Sequence, residues 1–165
     1  MSTMTRDEVM ARLLAARGEF DAKVAAVPPE RLDVAPPGHT HSPKEIAAHV
    51  DAYEELITER LRAARAGETT AFDRDRVGWK EFNERVWGEA RGTEAAVVLE
   101  RSARVFAEML AEIGQLTDAE LNEVTGVTAV IDPAWLGKHT LGEIVGIDTF
   151  EHYPMHFEAL DAACA

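Results

Sequence analysis

The sequence predicts an all-α protein, a four-helix bundle with an additional short helical or irregular segment between the second and third helices. Three observations carry that prediction. Alanine, glutamate, leucine and arginine dominate, and β-branched or aromatic runs are short. Apolar residues recur at helical spacing in four segments of about 20 residues. Three of those segments open on a side-chain capping pattern. Four amphipathic helices in 165 residues imply one bundle and one domain, residues 1–165.

The first helix is expected from about Arg6 to Val27, opened by Thr5 and Glu8 and stopped by Pro28-Pro29. A loop rich in proline, glycine and histidine follows, through Pro36-Pro37-Gly38-His39-Thr40-His41. The second helix has the clearest start: Ser42 as N-cap, Pro43 at the first helical position and Glu45 completing the box. It should run to about Ala66 and end at Gly67. Residues 68–92 are less regular, with a helix expected over Asp75 to Glu89 from the spacing of Val77, Phe82 and Val86. Gly78, Gly88 and Gly92 weaken that pattern. The third long helix runs from Thr93 to about Ile113, and Thr117 with Glu120 caps a short turn. An irregular stretch from Glu123 to His139 carries Val127 to Ile131, Asp132-Pro133 and Trp135. Thr140 and Glu143 cap a last helix expected to continue close to Ala165.

The formal net charge is −13 and the pI about 4.8. Such a surface repels phosphate backbones and anionic lipid, so neither nucleic acid nor membrane is expected as a partner. The first residues lack an apolar h-region, and no uncharged apolar run approaches the ~18 residues of a spanning helix. A cytoplasmic protein is the expectation. The one cysteine, Cys164, cannot form an internal disulfide and lies where a terminus frays.

Histidines carry the chemistry. On a helical wheel, Glu143, Glu151, Glu158 and Asp161 cluster on one side of the last segment. His152 and His156, four residues apart, fall opposite them and should face inward together. In the second helix, Ile46, Val50, Tyr53, Ile57 and Leu61 form the apolar stripe, with Asp51, Glu55, Thr58, Glu59 and Arg62 on the other side. His49 falls on the flank of that stripe. Taken alone, it reads as a core histidine bonded to a carbonyl; the inward pair is the stronger signal. If the two helices are antiparallel neighbours or cross, the three imidazoles converge. Three neutral imidazoles with an open position describe a catalytic divalent-metal site. Zinc and nickel are the expected metals, with iron and manganese as alternatives. Asp148 and Glu45, each one turn before a histidine, are the acidic candidates to accept a ligand N–H or to serve as catalytic base. His39, His41 and His139 lie in loops, of which His41 and His139 could approach the site mouth.

The run Ser42-Pro43-Lys44-Glu45-Ile46-Ala47-Ala48-His49, closed by His152-x-x-x-His156, resembles the DinB-like (YfiT-like) metal-binding four-helix bundles over nearly the whole chain. The stretch Gly78-Trp79-Lys80-Glu81-Phe82-Asn83-Glu84 further resembles a subgroup that includes proteins protecting bacteria from their own genotoxic metabolite. The resemblance implies a divalent metal on His49, His152 and His156. It also implies thiol-dependent S-transferase or isomerase chemistry with a low-molecular-weight thiol such as mycothiol or bacillithiol. One departure stands out: where many members carry a tryptophan just before the second helix, this chain has His41.

Three functions follow as expectations. The first is a metal-dependent thiol transferase acting on a small-molecule electrophile, with Trp79, Phe82 and Trp135 lining the pocket. Lys44, Lys80, Arg104 and Lys138 are then the local cations for an anionic thiol. The second is a metal-hydroxide hydrolase or a sequestering self-protection protein. The third is a non-catalytic metal-binding bundle, as a monomer or a homodimer.

Overall fold

The computed structural model describes residues 3–123 and 138–165. Its helices are α1 (Arg6–Ala26), α2 (Pro43–Ala66), α3 (Ala71–Arg74), α4 (Trp79–Arg91), α5 (Ala95–Ile113), α6 (Asp118–Asn122), α7 (Leu141–Asp148) and α8 (Phe157–Cys164). Short 3-10 turns cover Pro29–Arg31 and Tyr153–His156, and there is no strand among the described residues. The bundle consists of α1, α2, α5 and the segment formed by α7 and α8. The small helices α3 and α4 fill the connection between α2 and α5, as expected. No helix of the described residues is long and apolar enough to cross a membrane.

Local chemistry fixes the helix starts. Reciprocal capping boxes form at Thr5 with Glu8, Ser42 with Glu45, Thr117 with Glu120 and Thr140 with Glu143. At the other end of α2, Gly67 takes a left-handed φ of 69°, which lets its N–H cap the last carbonyls. The segment after α3 differs from expectation. Arg76 turns the chain at a φ of 52°, and α4 starts only at Trp79 behind a Gly78 N-cap.

The core has two apolar clusters separated by a polar layer. One holds Val9 and Leu13 of α1, Ile57 and Leu61 of α2, Met109 and Ile113 of α5, and Ile144 and Val145 of α7. The other holds Phe20, Val24, Ile46, Val50, Tyr153 and Leu160. Between them, Arg17 extends from α1 to donate to Glu54 Oε1 at 2.6 Å and to Ser102 Oγ at 2.5 Å. The Ser102 hydroxyl donates to Asp51 Oδ1 at 2.6 Å, and the Tyr153 hydroxyl donates to Glu54 Oε1 at 2.6 Å. Hence part of the expected solvent face of α2 is interior: Asp51 is 1% exposed and Thr58 4%. The reason is tertiary. Helices α4 and α5 both pack along α2, so little of its circumference is left to water.

The last segment also departs from a continuous helix. Pro154 has no N–H to give the Phe150 carbonyl, and an α-helical path would drive its ring into that carbonyl. The chain leaves the helix at Thr149, at φ −129° and ψ −96°. The Gly146 carbonyl receives both the Thr149 and Glu151 N–H groups, and the Thr149 carbonyl receives those of His152 and Tyr153. The His152 and His156 imidazoles nevertheless keep one facing direction.

Candidate metal centre

Helix α2 presents His49 in its second turn, 4% exposed, and the C-terminal segment brings His152 and His156 against it. His152 Nε2 lies 3.1 Å from His49 Nε2 and 3.1 Å from His156 Nε2. One ligand atom from each ring falls within 4.8 Å of the others, the one such grouping of three potential metal ligands among the described residues. The His49–His152 contact spans 103 residues of chain.

Burial pushes the pKa of His49 down to about 2 and that of His156 to about 4, and neighbouring imidazoles add to both shifts. Burial lowers His152 as well, opposed by the Asp148 carbonyl. All three rings are therefore neutral at pH 7, and each has a lone pair to offer. A neutral imidazole has one N–H, so without an ion the His152 Nε2 must share its single proton or single lone pair between two neighbours. A cation would instead take one lone pair from each ring. The 3.1 Å separations also approach the ligand–ligand edge of about 3.3 Å that follows from zinc–nitrogen bonds of ~2.0–2.1 Å in a tetrahedron. Neither expected carboxylate accepts a hydrogen bond from its ring: Nδ1 of His49 is buried without a partner, and Nδ1 of His152 has only the Asp148 backbone carbonyl beside it, outside good hydrogen-bond geometry.

The carboxylates are occupied elsewhere. Asp148, buried in the cavity wall, accepts from Arg60 Nη1 at 2.9 Å, and burial raises its pKa to about 6 against the pull of that cation. Arg60 also grips Asp73 through Nε and Nη2, at 3.0 and 2.8 Å. Glu45 closes the α2 cap and accepts from Arg91 Nε at 2.8 Å. His152 is thus flanked by two anchored residues, Asp148 on Arg60 and Tyr153 on Glu54.

The histidines open on a cavity of about 390 Å³. One wall is α4, where Trp79, Asn83 and Trp87 follow at four-residue intervals on one face. Tyr53, one turn after His49, stacks on Trp79 at 5.4 Å and 13°. Of the residues expected to line a pocket, Trp79 does so; Phe82 packs behind it against Phe72 and Tyr53. Trp135 lies outside the described residues. Tyr53, Asn83 and Trp87 were missed, although the four-residue spacing of the α4 trio was readable. His41 does approach the site: its ring stacks on Trp87 at 3.7 Å, and Trp87 stacks on His49. His139 pairs with Glu143 at 3.2 Å. The expected cations are not gathered here. Lys44 pairs with Asp33, Lys80 with Glu84 and Arg104 with Glu108, and none of the four lines the cavity.

Solved structures of the same fold are known. The colibactin self-resistance protein ClbS, in complex with double-stranded DNA, is 17% identical with a TM-score of 0.74, covering 95% of this chain and 94% of that one. An uncharacterised protein from Escherichia coli UTI89 is 14% identical at 0.74, covering 95% and 91%. A protein from Streptococcus pneumoniae is 14% identical at 0.74, covering 98% and 91%. At such identities the likeness is one of fold. No curated protein matches the sequence. The ClbS complex overturns the expectation that nucleic acid is excluded as a partner. Net charge averages over a whole surface, whereas phosphate contacts depend on local groups, so −13 was no ground for that exclusion. The DinB superfamily pattern matches residues 12–158, spanning most of α1 through the start of α8 and all three clustered histidines, and the chain belongs to that superfamily.

Proposed function

We propose that this protein is a divalent-metal-dependent enzyme acting on a small-molecule electrophile, with the ion held by His49, His152 and His156. The observation that carries the proposal is the convergence of three neutral, inward-facing Nε2 atoms at the edge of an aromatic cavity. Zinc or nickel suits three imidazoles, and iron or manganese remains compatible with them. A bound ion would supply a Lewis acid and lower the pKa of a thiol or water brought to it. A low-molecular-weight thiol is the nucleophile we favour, in S-transferase-like chemistry.

The protein's own groups have separate tasks. Asp148 lines the cavity with a raised pKa and is the acid–base candidate. Glu45 fixes the start of α2 and thereby the position of His49. Tyr53 and the α4 tryptophans shape the substrate pocket and limit the entry of water.

Metal content by elemental analysis tests the proposal. About one equivalent is expected in the parent protein and none in His49→Ala or His152→Ala. An absence of metal from protein prepared without chelators overturns it. Dependence of turnover on added thiol then separates transfer from hydrolysis.

A self-protection role is a second reading, favoured by the shared fold with ClbS. Its companion measurement is a mobility shift with duplex DNA at low salt, where a salt-sensitive complex supports it. Absence of a shift removes DNA from that reading.

A further inference from the structure

The cavity beside the histidines has a definite chemical character. Trp79 and Trp87 stand two helical turns apart on α4, about 12 Å along the axis at ~1.5 Å per residue. Both rings are held in place, Trp79 by Tyr53 and Trp87 by His41. Ile147 lines the cavity as well, and Met155, 76% exposed, supplies an apolar rim. A volume of about 390 Å³ falls within the range of pockets for drug-sized ligands.

Charge is absent from the lining except at Asp148, which is tied to Arg60. No lysine or arginine lines the cavity among the described residues. Residues 124–137 contain no lysine, arginine or histidine to add. The Arg60 guanidinium stands 5.7 Å from the Trp79 ring centroid and is already engaged by Asp73 and Asp148. An anion entering this space would lose water without gaining a side-chain cation.

Midway between the two tryptophans, Asn83 brings an amide to the lining. The Tyr53 hydroxyl donates to Asn83 Oδ1 at 3.2 Å, an amide orientation assigned from that bond. The Asn83 NH₂ is left as a hydrogen-bond donor with no protein partner among the described residues.

We infer that this cavity takes a flat, uncharged aromatic or conjugated carbonyl compound, with its rings against Trp79 and Trp87 and its carbonyl oxygen on the Asn83 amide. The inference rests on the proposed metal centre only for where reaction would occur; the recognition itself belongs to α2 and α4. It narrows the electrophile and places the charged part of any thiol outside this cavity.

Calorimetric titration with two probes on one ring system tests it: neutral 2-acetylnaphthalene and anionic 2-naphthalenesulfonate. Protein stripped of metal is titrated first, so that an ion's charge plays no part. The neutral probe is expected to bind at least tenfold more tightly than the sulfonate. Trp79→Ala should weaken it at least tenfold while metal content stays at the parent value. Asn83→Ala should lower its affinity to that of plain naphthalene. Binding of the sulfonate equal to or tighter than the neutral probe overturns the inference, as does no binding of either. The two readings fail separately. Neutral-probe selectivity in a protein that never acquires metal sinks the metal centre alone, and metal binding without probe selectivity sinks this inference alone.

Discussion

Replacing Arg60 by methionine tests whether the segment bearing His152 and His156 is held by charge. Arg60, Asp73 and Asp148 have side chains only 1%, 1% and 7% exposed, and three hydrogen bonds of 2.8 to 3.0 Å join them. Methionine keeps much of the stem's packing but leaves two carboxylates in a low-dielectric interior. Asp73 retains the Thr70 hydroxyl at 2.8 Å, whereas the Asp148 carboxylate loses its one protein donor among the described residues. Breaking a buried pair from one side costs about 3–5 kcal/mol. For a chain of this length that is a fall in Tm of roughly 6–20 °C. Asp148 has an escape, because it can bind a proton. Its folded pKa is about 6 with Arg60 present, above the ordinary 3.8, and rises further without the cation. The folded variant then binds more protons than the unfolded chain across that interval, so its stability falls as pH rises. Urea denaturation followed by circular dichroism should show a loss of about 3–5 kcal/mol at pH 8. The loss at pH 5.5 should be smaller by at least ~1 kcal/mol. Adding Asp73→Asn and Asp148→Asn should recover part of it. A loss below about 1 kcal/mol at pH 8, typical of an exposed pair, would refute the reasoning.

Tyr153→Phe removes the donor to buried Glu54 and should cost about 1–3 kcal/mol, read by the same denaturation; a neutral result would mean that Glu54 is satisfied otherwise. Burial lifts the Asp51 pKa from 3.8 to about 7. Its protonation therefore supports the fold below pH 3.8, and that support is lost as pH rises towards 7. Relative to the parent, Asp51→Asn should gain about 1–3 kcal/mol between pH 5 and pH 8, and parallel pH profiles would contradict this. Gly67→Ala meets no atom within 4 Å, so only the left-handed backbone opposes it. The cost should be about 1 kcal/mol in urea midpoint and slope analysis.

Helix starts were legible because a cap is a conversation among four consecutive residues. Ser42 with Glu45 and Thr140 with Glu143 needed no distant partner to be read. The three histidines were legible for a similar reason: a period of about 3.6 placed each on an inward flank, and two crossing helices did the rest. Interior polarity was not legible. Nothing near Asp51 or Arg60 in sequence announces Ser102 or Asp148, which lie 51 and 88 residues further along the chain. The break at Pro154 stood in plain view, yet the acidic side formed by Glu143, Glu151, Glu158 and Asp161 runs through it and suggested one unbroken helix. For the pocket, Trp79 was named from the sequence but Trp87, two turns on, was not, and Tyr53 looked like ordinary core. The sum of charges misled about nucleic acid because a sum contains no positions.

Three contacts pin α2 to the C-terminal segment: Arg60 to Asp148, Glu54 to Tyr153 and His49 to His152. Their partners are separated by 88, 99 and 103 residues. Each closes a long loop, with little gained until the ends meet, and each depends on directional polar geometry rather than on apolar area. Local contacts within α1, α2 and α5 have no such delay. The region that would do the chemistry should therefore be among the last to form as the chain folds and the first to open as it unfolds. Amide hydrogen exchange would reveal this as lower protection across residues 148–157 than across α2, from the same molecule in the same experiment.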